Sequence, residues 1–183
     1  MKIRTKRRLI HRIVFGLVIT FFVTIVLIGA YIVREYVTSQ QRLIHLLCET
    51  DYQVLLESCR KLSKRVTIGD LRPRAYWVRV ENDPKASQFQ FPQVILDIEP
   101  VFVKIVSEGW VMLEMGGIPT YGVVAYPEDS ITGFVADIQL IPGLWYYDED
   151  YRDEYPKHQK KIDALIQKGK MRQKEIITNS EKP

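Results

Sequence analysis

Residues 101–115 read VFVKIVSEGWVMLEM, and the reading of this stretch decides the fold. Two runs of β-branched and large apolar residues, 101–106 and 110–115, flank Ser107-Glu108-Gly109. A three-residue loop ending in glycine fits a type I turn closed by a G1 bulge, whose last residue is left-handed. That loop sets Val106 opposite Trp110. The two-residue period of a strand then puts Val101, Val103 and Ile105 on one face with Val111, Leu113 and Met115. Phe102, Lys104 and Val106 share the other face with Trp110, Met112 and Glu114. A two-residue loop would flip one strand and mix the two sets. The wholly apolar face is expected to be core, and the mixed face at least partly exposed.

Downstream, Gly116-Gly117 supports a reversal, and 121–126 (YGVVAY) reads as a third strand. A polar excursion over 127–133 follows, and Pro142-Gly143 marks a turn before a last strand at 144–147. Upstream, 75–80 (AYWVRV) suggests a strand and Asn82-Asp83-Pro84 a turn. PQVILDIE at 92–99 fits a short helix with proline first, or another strand; the helix is preferred. Earlier still, Thr50 with Gln53 three residues on forms a capping box. Val54, Leu55, Leu56, Cys59, Leu62 and Val66 then recur at three- to four-residue spacing, an amphipathic helix to about Arg65. Its expected place is over one face of the sheet. The fold class is α+β, with an antiparallel meander of three to four strands.

The N-terminal region is of a different kind. Residues 13–33, IVFGLVITFFVTIVLIGAYIV, hold 21 positions without a charge. As a helix they extend roughly 31 Å, which matches the hydrocarbon core of a bilayer. Six Lys/Arg lie in residues 1–12, and only Arg34 and Arg42 in the twenty residues after the run. The positive-inside rule therefore puts the N-terminus in the cytosol and residues 34–183 outside, as a single-pass signal anchor in the cell membrane. A cleaved secretory signal is the competing reading. It is disfavoured by the length of the run and by Ile28, large at the third position before the best cleavage point, after Ala30. Gly16, Thr20 and Thr24 recur every four residues, a small-residue line common in such helices. The chain of 183 residues has a net charge of +4. Taking the six N-terminal cations from its 26 basic residues leaves 20 against 22 acids, so the basicity belongs to the tail and speaks against nucleic acid as partner.

After residue 147 the chain turns acidic (DEDYRDEYP), and Pro156 opens a helix to about Gln167 with Ile162, Leu165 and Ile166 on its apolar side. From Gly169 the sequence is polar and is expected to fray. The organisation read from the sequence is a basic tail at 1–12, a span at 13–33, a connector at 34–50 that can prolong the helix, an outer domain at 51–150, and a linker, helix and tail at 151–183.

The chemistry is sparse. His45 and His158 have no Cys or carboxylate at metal-ligand spacing, and no nucleophile-elbow or phosphate-loop motif occurs. No catalytic, cofactor or metal set is assigned. Cys48 and Cys59 would sit about 16 Å apart on one helix, too far for a disulfide, so two buried thiols are expected. Asp148, Glu149, Asp150, Asp153 and Glu154 lack the order and glycine of a calcium loop and read as a solvated run. Trp145, Tyr146, Tyr147, Tyr151 and Tyr155 crowd into eleven residues. With the mixed face of the hairpin they single out Trp110, Met112, Trp145 and Tyr146 as candidate contacts for a protein partner or a second copy. The alternative is that the C-terminal helix covers this face. The chain is expected to contact the bilayer through 13–33 and to act outside it as a binding or assembly domain without catalysis. The lack of an Asn-x-Ser/Thr sequon suits a bacterial envelope. The alternative is a small envelope enzyme with a carboxylate or cysteine site.

Overall fold

A computed structural model describes residues 2–69, 71–78, 91–116, 120–129, 138–149 and 156–180. The chain forms two compact units, divided after Thr38. The first consists of most of helix α1 (Lys2–Ile44). Its large side chains from Phe15 to Val33 are exposed, Phe21 by 69% and Leu27 by 64%. It is long and apolar enough to cross a membrane, a form that an anchor and a signal sequence share. Thr20 and Thr24 donate to the carbonyls of Gly16 and Thr20, at 3.0 and 2.9 Å, so their hydroxyls are satisfied within the helix.

The second unit is built on a six-stranded antiparallel sheet. Its strands are β1 (Arg74–Trp77), β2 (Phe102–Ile105), β3 (Val111–Glu114), β4 (Tyr121–Ala125), β5 (Ile138–Ile141) and β6 (Leu144–Asp148), in the order β1-β2-β3-β4-β6-β5. The α+β class is therefore the one read from the sequence, with more strands than the three to four expected. The hairpin register also agrees. Phe102 faces Glu114, Ile105 faces Val111, the Val106 amide donates to Trp110 O, and Gly109 has φ +85°. The unforeseen strand is β5. Pro142-Gly143 joins it to β6 in a two-residue turn, with proline's fixed φ and Gly143 at φ +83°. The last strand thus lies inside the sheet, between β4 and β5.

Helix α2 (Tyr52–Thr67) lies across the core face, burying Tyr52, Leu55, Leu56, Cys59 and Leu62 against Val103, Ile105, Val111, Leu113, Val123 and Tyr146. Its cap is Asp51 and not Thr50: the Asp51 carboxylate accepts from the Gln53 and Val54 amides at 2.9 and 3.1 Å. Thr50 instead ends a π-helical turn (His45–Glu49), its amide and hydroxyl both donating to His45 O at 3.0 Å. Segment 92–99 resolves as helix α3 (Gln93–Asp97), with Pro92 at the cap position, packed on α2.

The core reaches beyond 51–150. Leu43, Leu46 and Leu47 join it from one side, and Ile162 and Ile166 of helix α4 (Pro156–Ser180) from the other. The fraying expected from Gly169 does not occur, because α4 runs on to Ser180 and packs on the π-helical turn. Gly169 is a point of close approach: a Cβ there would overlap the Leu47 carbonyl and the Tyr52 hydroxyl. A π-turn passing into an extended Thr50 leaves carbonyls without helical partners, and buried backbone groups must find others. The Tyr52 hydroxyl donates to Leu47 O, Arg172 Nη1 to Cys48 O at 3.0 Å, and Gln173 Nε2 to Thr50 O at 3.0 Å. Gln173 Oε1 in turn accepts from the Tyr52 amide at 3.1 Å. The polar character of this stretch is what docks it.

Candidate functional site

The pairing of the strands sorts the side of the sheet away from α2 into two rows. One runs Ala75, Lys104, Met112, Val124, Trp145, Gln139; the other runs Trp77, Phe102, Glu114, Gly122, Tyr147. Trp110 extends the first row, its ring 5.9 Å from Lys104 Nζ in a cation–π contact. Trp77, 52% exposed on β1, the outermost of the described strands, meets Phe102 edge to face, with centroids 5.6 Å apart. Phe102, Trp110, Met112, Trp145 and Tyr147 are half-buried, and Val124 beneath them is buried. The buried indole N–H of Trp145 has no hydrogen-bond partner among the described residues. Burial, aided by the nearby Glu149 carboxylate and opposed by Lys104, raises the pKa of Glu114 above the usual carboxylate value.

Of the four candidate contacts, Trp110, Met112 and Trp145 share this face. Tyr146 lies on the other, fully buried in the core. Alternation along β6 (burial half, full, half at 145–147) separates it from its neighbours. Trp77 belongs to the face and was legible in the sequence, since in AYWVRV it alternates with Tyr76. The cover expected from Ile162, Leu165 and Ile166 goes elsewhere: the first and last are buried in the main core, and α4 packs on the π-helical turn.

Gly122 is the weak point of the outer face. The Tyr147 ring fills the space its side chain would need, and a Cβ there would also overlap the Leu113 carbonyl. Gly122→Ala is expected to cost about 1–3 kcal/mol of stability. Gly29→Ala, with open space around it, should leave the denaturation midpoint unchanged.

Behind the sheet lies a buried polar group. Asp148, its side chain 2% exposed, accepts from the Tyr146 hydroxyl at 2.7 Å, and His158 Nε2 lies 2.9 Å from the same oxygen. Burial above all, with the Asp148 charge, holds the Tyr146 hydroxyl far above its ordinary pKa, so it remains a donor. Tyr121 on β4 donates to Ser39 O at 2.8 Å. These bonds pin both ends of the second unit to its sheet. Asp148 is thus no solvated acid, whereas Glu149 is exposed; Asp150, Asp153, Glu154, Tyr151 and Tyr155 lie outside the described residues.

Both thiols are free and buried. Burial raises Cys48 and pushes Cys59 up to about 12, so each is a protonated core thiol. Among the described residues no group of His, Cys, Asp and Glu could hold a metal ion. No family model matches the chain, and no curated protein or solved structure matches it.

Proposed function

We propose that this chain is a single-pass membrane-anchored binding protein of a bacterial cell envelope. Residues 1–12 lie in the cytosol, 13–33 cross the bilayer, and the folded unit outside holds a protein partner on the outer face of its sheet. The observation that carries this reading is the make-up of that face. Tryptophan, phenylalanine and methionine line it, Lys104 and Glu114 sit among them, and α2 is spent on the opposite side. Large aromatic side chains with few charges are what the centre of a protein interface uses. The orientation rests on six cations before the span against two after it.

Two measurements test the reading. A reporter fused after Pro183 should be active only outside the cytosol, and the mature chain should keep its first 33 residues. Cytosolic activity, or an N-terminus near Tyr31, would overturn the anchor. In its own membrane, Trp110→Ala should lose the cross-linked partner by more than about 2 kcal/mol, roughly 30-fold, with the fold intact. If cross-linking survives this change, the outer face is not the contact.

A further inference from the structure

The outer face of the sheet is polarised along its strands. Lys104, the cation on it among the described residues, stands in the row with Met112, Val124 and Trp145. The acids stand toward the other end of the strands. Glu114 shares the second row with Phe102 and Tyr147, and Glu149 follows two residues beyond Tyr147. The Glu149 amide donates to Thr120 O at 3.1 Å, which continues the pairing of β6 with β4 and keeps Glu149 on this side. Its charge reaches Glu114. Glu108, at the tip of the hairpin, is engaged with its own turn, accepting from Ser107 Oγ at 2.9 Å.

A face with a cation row beside an acid row is complementary to itself. In a two-fold pair every contact occurs twice, residue i meeting j and j meeting i. An axis in the plane of contact, parallel to the rows and between them, lays the lysine row of one copy over the acid row of the other. Lys104 then comes down one strand from Glu114 of the other copy, about 5 Å to the side. Packed sheets lie about 10 Å apart, a gap that a lysine and a glutamate side chain close together. Trp145 falls over Tyr147 of the other copy, and the strands stay within about 30° of alignment, as in other packed sheet pairs. An axis along the strands would instead lay lysine row on lysine row and acid row on acid row. We propose that the protein held on the outer face is a second copy of this chain, packed face to face with Lys104 of each copy paired to Glu114 of the other. This rests on the reading of that face as a protein contact, and names its partner. Glu114 is half-buried beside a like charge, so a second ammonium relieves it.

The test isolates one tagged full chain from mild detergent and measures how much of a differently tagged, co-produced copy comes with it. Parent chains should co-isolate. Lys104→Glu in both copies, or Glu114→Lys in both copies, turns two attractions into two repulsions and should lower the yield at least about ten-fold. A Lys104→Glu chain mixed with a Glu114→Lys chain restores opposite charges at both contacts, and should recover the yield to within about three-fold of the parent. Recovery in the mixture also shows that each variant still folds. If Glu114→Lys lowers the denaturation midpoint, Glu114→Gln replaces it and should still reduce the yield. Co-isolation indifferent to these charges, or lost in the single variants and not recovered in the mixture, would overturn the two-fold pairing. Parent chains that do not co-isolate, while Trp110→Ala still loses a cross-linked protein in the native membrane, would mean a different partner on the same face. That result fails this proposal alone. Cross-linking that survives Trp110→Ala fails the face reading and this proposal together.

Discussion

Gln173→Ala is expected to destabilise the folded unit by about 2–6 kcal/mol, from a side chain that the sequence places in a polar C-terminal stretch. The magnitude follows from what the amide holds. Its oxygen accepts from the Tyr52 amide and its nitrogen donates to the Thr50 carbonyl. Both backbone groups belong to buried residues at the junction between the π-helical turn and α2. An unpaired buried donor or acceptor costs about 1–3 kcal/mol, and alanine would leave one of each. Lys174→Ala, exposed on the next residue, should stay within about 0.5 kcal/mol of the parent. Gly169→Ala should act in the same direction as Gln173→Ala, by forcing α4 off the Leu47 carbonyl. Chemical denaturation of the full chain in detergent, followed by tryptophan fluorescence, measures all three. A loss below about 1 kcal/mol at Gln173 would mean that α4 does not hold this junction.

The same region explains what was and was not legible in the sequence. Hydrophobic periodicity reports contacts between side chains, so it found the sheet core, α2 and the first half of α4. It cannot report a helix that docks by pairing backbone groups, and there Gly169, Arg172 and Gln173 look like features of a frayed end. Whether Thr50 or Asp51 caps α2 is likewise invisible to pattern, because both are good capping residues. The choice falls to Asp51 because the preceding π-turn claims both donors of Thr50. Strand β5 was missed because its four residues, IQLI, form too short a run to display a period. In the candidate site, alternation sufficed for Trp110 and Met112, since the hairpin fixed their parity. Alternation alone sets Trp145 and Tyr146 on opposite faces, but which of them shares the face of Met112 had no reference until the register with β4 supplied it.

That parity argument has its own sharp consequence. Leu113→Ala is expected to cost about 2–5 kcal/mol, whereas Lys104→Ala should cost less than about 1 kcal/mol. The two residues lie on adjacent strands, one position apart in the pairing, and differ chiefly in the face they occupy. Leu113 pairs with Val103 and Val123 in a row of buried side chains, is itself fully buried, and sits under α2. Truncating it removes apolar area from the core and leaves a cavity that a strand paired on both edges, with β2 and β4, cannot close by shifting. Lys104, opposite Met112, is exposed, and its ammonium interacts with the half-buried Trp110 ring. Its removal forfeits a cation–π contact of about 0.5–1 kcal/mol at an exposed site and no core volume. A one-residue slip in the loop Ser107-Glu108-Gly109 would turn one strand over and bring the two losses together. Equal losses would therefore refute the hairpin register, and with it the outer face on which the proposed partner site is built.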